Sequence, residues 1–190
     1  MELFFAHNPG IPSRFPVEMN FEDYTDEELL QILQLQIHRK FKGRMKVEQG
    51  IDGLFCRIVA RRVGHGRGRN GFGNARAVEN YLQIISKRQA TRLRRTRQSR
   101  PKPDDLLLTQ EDMIGPEPSE ALSKSKAYRD LNCMIGLQEV KDSLKVFMDT
   151  LKTNYNRELE EKPLVEFSLN KVFLGSPGTG KTTIAKLYGL

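Results

Sequence analysis

Gly175-Ser176-Pro177-Gly178-Thr179-Gly180-Lys181-Thr182 is a full match to G-x-x-x-x-G-K-[ST]. No other stretch constrains the chain as tightly, because the pattern has chemical meaning only where a strand enters a glycine-rich turn and a helix leaves it. Lys171-Val172-Phe173-Leu174 reads as a short buried strand, and Thr182-Thr183-Ile184-Ala185-Lys186-Leu187 as the opening of a helix. Glycines at 175, 178 and 180 let the backbone curl until several N–H groups point inward. Those donors, with the positive end of the helix, attract phosphate. Residues Gly175, Ser176, Pro177, Gly178, Thr179, Gly180, Lys181, Thr182 and Thr183 are therefore the expected nucleotide-binding set. Lys181 would reach the β- and γ-phosphates and the Thr182 hydroxyl would ligate Mg²⁺, so ATP and Mg²⁺ are the expected cofactors. A ligand-free strand-to-helix turn is the plainer alternative; the agreement of motif and context favours the nucleotide.

The rest of the chain reads as helix. Upstream of the loop, Val140, Leu144, Phe147, Met148 and Leu151 recur at three and four residues within 131–163, an amphipathic helix ended by Pro163. Near the start, Thr25-Asp26-Glu27-Glu28 is a capping box, followed by Leu29, Leu30, Ile32 and Leu33 on one face. A second helix is expected through Val47, Ile51, Leu54, Phe55, Ile58, Val59 and Val63. A third begins near Asn74, with Val78, Tyr81, Leu82 and Ile85 turned inward. Three such helices make a small bundle. Between the second and third, "GHGRGRNGFG" contains G-x-G-x-x-G. It follows a helical pattern rather than a strand, and no acid lies about 20 residues further on, so it is not a dinucleotide fingerprint.

Charge narrows the function classes. Net charge is +7, and residues 86–103 alone hold eight Lys or Arg and no acid. No aromatic residue interleaves that run, which weighs against base stacking on single strands, and runs of this kind are usually solvated faces. No apolar run approaches the ~20 residues of a membrane span. Glu2 and a four-residue apolar stretch do not make a signal peptide. Cys56 and Cys133 lack metal-ligand spacing. The expected setting is intracellular, cytoplasmic or nuclear, and reducing.

"MIGLQEVKDSLKVF" followed by "NKVFLGSPGTGKTTIAKLYG" resembles the start of an AAA+ ATPase core of the CbxX/CfxQ type, the group of the red-type Rubisco activase and the SpoVK-like proteins. The resemblance implies that Met134-Ile135-Gly136-Leu137 lines the adenine pocket, adding Ile135 and Gly136 to the nucleotide set. "NPGIPSRFPVEMNFEDYTDEELLQI" resembles the end of such a core passing into its helical lid, and "GFGNARAVENYLQ" resembles the lid's sensor-2 stretch. By that likeness Arg76 is the sensor-2 arginine, touching the γ-phosphate held by its own core. Arg14 is similarly placed to the arginine finger that reaches a neighbouring subunit's nucleotide. A guanidinium suits both roles because it stabilises charge on a transferring phosphoryl group.

The expected fold is mainly α with a small α/β remnant: a helical lid bundle, then an incomplete phosphate-loop core. Residues 1–95 resemble the last core segment and lid of one module, and 131–190 the beginning of another; 96–130, rich in Pro, Ser and charge, reads as the linker. Eight residues follow Thr182, which reads as a window across a tandem protein. Hydrolysis needs an apolar strand ending in Asp-Glu to hold Mg²⁺ and polarise water, and the sequence contains none. The expectation is ATP binding without turnover by this chain alone, other AAA+ subunits in a ring as partners, and a protein client left open. The alternatives are a basic nucleic-acid-binding polypeptide and a ring-interaction polypeptide.

Overall fold

The computed structural model describes residues 19–97, 103–168 and 170–188. Helix α1, Asp26–Phe41, begins at the capping box: the Glu28 amide donates to Thr25 Oγ1 at 3.2 Å and the Thr25 amide to Glu28 Oε2 at 2.8 Å. Leu29, Leu33 and Ile37, four residues apart, are its buried stripe. Replacing Thr25 with Ala leaves one helix-end donor without its partner and should lower stability by about 1 kcal/mol. A urea midpoint identical to that of the parent chain would disprove the cap's contribution.

Helix α2 runs Leu54–Gly64 and helix α3 Ala75–Thr96. Phe55, Ile58, Val59 and Val63 from α2 and Val78, Leu82 and Ile85 from α3 close on the α1 stripe. The second helix is shorter than its apolar pattern suggests. Gln49 and Gly50 take positive φ (66° and 89°), and Gly53 caps the helix, so Val47 and Ile51 lie before it. Val47 instead belongs to strand β1, Lys46–Val47, which pairs in parallel with β2, Leu107–Leu108. Helix α4, Gln110–Ile114, follows at once.

The stretch expected to be a linker thus contributes core: Leu108, Met113 and Ile114 are buried in the same cluster as Leu33 and Ile85. Its acids explain the fit. Asp112 is fully buried and its carboxylate accepts from Arg92 Nε and Nη2 at 2.8–3.0 Å, while Arg95 Nη2 donates to Glu111.

The glycine-rich turn after α2 is tied down by acids at the start of α1. The Gly68 amide donates to Asp23 Oδ2 at 3.1 Å, Asn74 Nδ2 to Asp23 Oδ1 at 2.7 Å, and Arg67 Nη2 to Asp26 Oδ1 at 2.7 Å. The Asn74 hydrogen bond, then that of Gly68, holds the Asp23 carboxyl below its ordinary range. A Cβ at Gly64 would lie 2.3 Å from Asp26 Oδ1, so a side chain there would push the Asp26 carboxylate away from its place beside Arg67. The turn therefore fastens α1 to α2 and α3.

Beyond the bundle come α5 (Pro118–Ser123), α6 (Lys126–Cys133), α7 (Gln138–Leu159) and α8 (Lys181–Tyr188). Helix α6 packs against α8, with Leu131 and Ile184 buried, and α5 packs along α7. After α7 the chain reverses. Arg157 Nε donates to the Pro163 carbonyl, and the Asn154 amide side chain bonds the Val165 carbonyl and N–H at 2.9 and 2.8 Å, as a neighbouring strand would. Phe167 then meets Phe147 edge to face at 5.6 Å.

The architecture is mainly helical with two short parallel strands among the described residues. Lys171–Leu174 departs from the expectation. Among the described residues it joins no strand ladder, and Val172 and Leu174 are 83% and 87% exposed. An isolated strand leaves its amides and carbonyls without a ladder, so an apolar run alone does not make one.

Candidate functional site

The reversal after α7 brings Lys171–Gly175 back beside the N-terminal end of that helix. Between them and the start of α8 lies an open cleft of about 640 Å³. Leu137, Gln138, Val140 and Ser143 line one side, and Val172, Phe173, Gly175, Thr179 and Lys181 the other.

The loop itself has the conformation its glycines permit. Gly175, Gly178 and Gly180 have φ of 150°, 81° and 81°, values that side-chain-bearing residues rarely adopt. No atom lies within 4 Å of where a Cβ would stand at Gly178 or Gly180, so those backbone faces are open. Lys181 folds back over the loop, its ammonium donating to the Gly175 carbonyl at 2.9 Å and the Ser176 carbonyl at 2.7 Å. Thr179 Oγ1 donates to Ser176 O at 2.8 Å. Ser176, Pro177, Thr182 and Thr183 are exposed, and the Thr182 hydroxyl has no intramolecular partner among the described residues.

These features fit a phosphate and its Mg²⁺. Among the described residues no group of three His, Cys, Asp or Glu side chains forms a metal cage. A Mg²⁺ here would take one hydroxyl from the loop, with phosphate oxygens and water completing its shell.

Other predicted residues separate from this site or border it. Gly136 has φ of 71° and is exposed, and Ile135 is 100% exposed, so its side chain lines nothing. Leu137, the N-cap of α7, is the member of that segment that faces the cleft. Arg76 is exposed in the first turn of α3, makes no ion pair among the described residues, and is absent from the cleft wall. Arg14 lies outside the described residues. The α7 wall was missed by reading motifs alone. Its signal is the start of the helix at 138, which puts 140 and 143 on one face, one turn apart.

The basic run is partly consumed by the fold. Arg92 is nearly buried on Asp112, and Arg95 is engaged by Glu111, which leaves fewer cations for nucleic-acid phosphates. Arg67 of the glycine-rich turn is likewise paired. Cys56 offers no nucleophile: burial, with Asp52 nearby, pushes its thiol up to about 12. Among the described residues no helix is long and apolar enough to cross a membrane.

A bundle of three helices carrying the α4 turn on its flank is a known domain. Residues 25–124 match the family described as the AAA lid domain. Relatives extend the assignment. The CfxQ homologue of Cyanidium caldarium is 35% identical over 94 residues, 49% of this chain and 30% of that protein. The chloroplastic ribulose bisphosphate carboxylase/oxygenase activase of Cyanidioschyzon merolae is 33% identical over 93 residues, 49% of this chain and 29% of its own length. CbbX of Cereibacter sphaeroides is 37% identical over 95 residues, covering 49% and 28%. The chain belongs to the CbxX/CfxQ family of AAA+ proteins. It spans under a third of the length of these relatives.

Proposed function

We propose that this chain is the ATP-binding portion of a tandem CbxX/CfxQ-type AAA+ protein, and that it holds Mg-ATP at the 175–183 loop without turning it over alone. The observation that carries the reading is the loop: three glycines at positive φ, open backbone faces at Gly178 and Gly180, and Lys181 laid across the concavity. The lysine ammonium already sits against two carbonyls, and phosphate oxygens offer it stronger, charge-assisted partners. Gly175 to Thr183 hold the phosphates, Thr182 contributes its hydroxyl to Mg²⁺, and Leu137 edges the base side of the cleft. In this reading residues 1–95 belong to a first module and 131–190 to a second. The core packing of Leu108, Met113 and Ile114 argues for carrying the first module's lid on through α4.

We expect no turnover by residues 1–190 alone, because they contain no apolar strand ending in Asp-Glu to position water and metal. Partners are other AAA+ subunits in a ring, where Arg14 would serve as a finger and Arg76 as sensor 2. One relative's name, ribulose bisphosphate carboxylase/oxygenase activase, suggests that the client is a protein.

Calorimetric titration with a non-hydrolysable ATP analogue and Mg²⁺ tests the binding. Weak binding is expected, because a segment outside any strand ladder and one short helix leave the loop little preorganised. Lys181→Ala should weaken it about ten- to a hundredfold, as loss of a charged hydrogen bond does. Binding that survives Lys181→Ala unchanged would place the nucleotide elsewhere.

A further inference from the structure

The helix that walls the cleft is anchored at its opposite end, on the bundle. Asn154 and Tyr155 are the buried residues of α7, and Leu159 packs on the bundle core. The Tyr155 hydroxyl receives a hydrogen bond from Gln110 Nε2 at 2.9 Å and donates to the Gly115 carbonyl at 3.3 Å. Glu158 takes a bidentate pair from Arg62 at 2.8 and 2.5 Å, the two side chains only 21% and 16% exposed. Burial works against the Arg62 charge, and the Glu158 hydrogen bond with the Tyr81 hydroxyl more than offsets it, so the guanidinium is held above its ordinary range. Just past the helix, Glu161 accepts from Arg57 and Arg61.

We propose that the last two turns of α7 are an intramolecular docking surface for the bundle, and that Tyr155, Glu158 and Arg62 are positioning residues for the cleft. Twenty-two helical residues make a rod of about 33 Å. With one end clamped in a bidentate fork and a buried aromatic socket, the other end, Leu137–Ser143, is held where the loop returns. The half of α7 between has no fully buried residue; α5 packs along it and Phe147 meets Phe167, and the clamp sets the end from which that packing runs. Lid and phosphate loop then move as one body, and the lid's position reaches the cleft through this helix. Docking needs no nucleotide; its effect on affinity rests on the phosphate-loop reading above.

Hydrogen exchange on the ligand-free full chain tests it, comparing the parent with Glu158→Gln. The charge is lost while Arg62 keeps its bonds to the Ile114 carbonyl and Tyr81. Exchange should quicken by about tenfold across 152–159 and also across 138–143, with the buried α1 amides unchanged. Tyr155→Phe removes one hydroxyl only and provides the same comparison should Glu158→Gln loosen the bundle. Faster exchange confined to 152–159, or none in either variant, would overturn the proposal. Titration with Mg²⁺ and the ATP analogue adds an independent arm. Weaker binding by Glu158→Gln at an unchanged bundle midpoint supports positioning, and unchanged affinity counts against it. If the parent chain itself binds nothing, the phosphate-loop reading fails, and exchange still decides the docking.

Discussion

Asp112→Ala is expected to destabilise the bundle by about 3–5 kcal/mol, the range for breaking a buried ion pair by removing one partner. The carboxylate is fully buried, and it receives two nitrogens of Arg92 and the Thr109 amide at 3.0 Å. Its loss strands an arginine side chain that is only 11% exposed. The remaining partner of that guanidinium, the Leu107 carbonyl at 2.9 Å, carries no charge. The hydrogen bond to Asp112 dominates what holds Arg92 charged against burial, so the neutral escape open to a lysine is closed here. Urea denaturation gives the difference directly. Asp112→Asn keeps the shape and an acceptor for Thr109 and should lose less. Replacing both partners by Leu and Met should recover much of the loss, because an apolar pair leaves no desolvated charge behind. A change below about 0.5 kcal/mol in Asp112→Ala, the scale of ordinary surface substitutions, would mean that Arg92 reaches water when released.

That ion pair also marks where the sequence stops being legible. Helix α1 was readable because its cap and its stripe are local: Thr25 meets Glu28 three residues on, and Leu29 and Leu33 share one face. The glycine-rich turn at 175–180 is local in the same way, since consecutive residues carry its positive-φ conformation. What failed was non-local. Val47 falls in a helical apolar pattern, while its strand partner, Leu108, lies about sixty residues away, and no period of apolar residues announces a parallel pair of two-residue strands. Residues 103–114 look like a linker by composition, yet their acids are the counter-ions of a basic run that looked solvated. Charge composition counts ions without pairing them. Lys171–Leu174 erred in the other direction: its apolar residues satisfy a strand pattern, but a strand is made by its neighbours.

Leu33→Ala should cost about 2–5 kcal/mol, from lost transfer energy and the cavity that remains. Leu33 is fully buried at the middle of the α1 stripe, and α1 packs against both α2 and α3, so three helices would have to move to close the gap. Leu35, two residues on, is 47% exposed, and Leu35→Ala should stay within about 0.5 kcal/mol. The comparison separates packing from helix propensity, which is the same substitution in both. The loss should also extend beyond the three helices. Leu108, Met113, Ile114 and Tyr155 belong to the same buried cluster as Leu33, so the α4 turn and the docked end of α7 should unfold in the same transition and at the same lowered midpoint. Following Tyr155 fluorescence in variants with the other tyrosines replaced by Phe, alongside far-ultraviolet circular dichroism, tests this. Coincident curves mean that the bundle and the helix clamped to it share one core. A tyrosine transition that keeps its midpoint while the helices melt earlier would divide them into two units, and the cluster that joins Leu33 to Tyr155 would then carry no cooperativity.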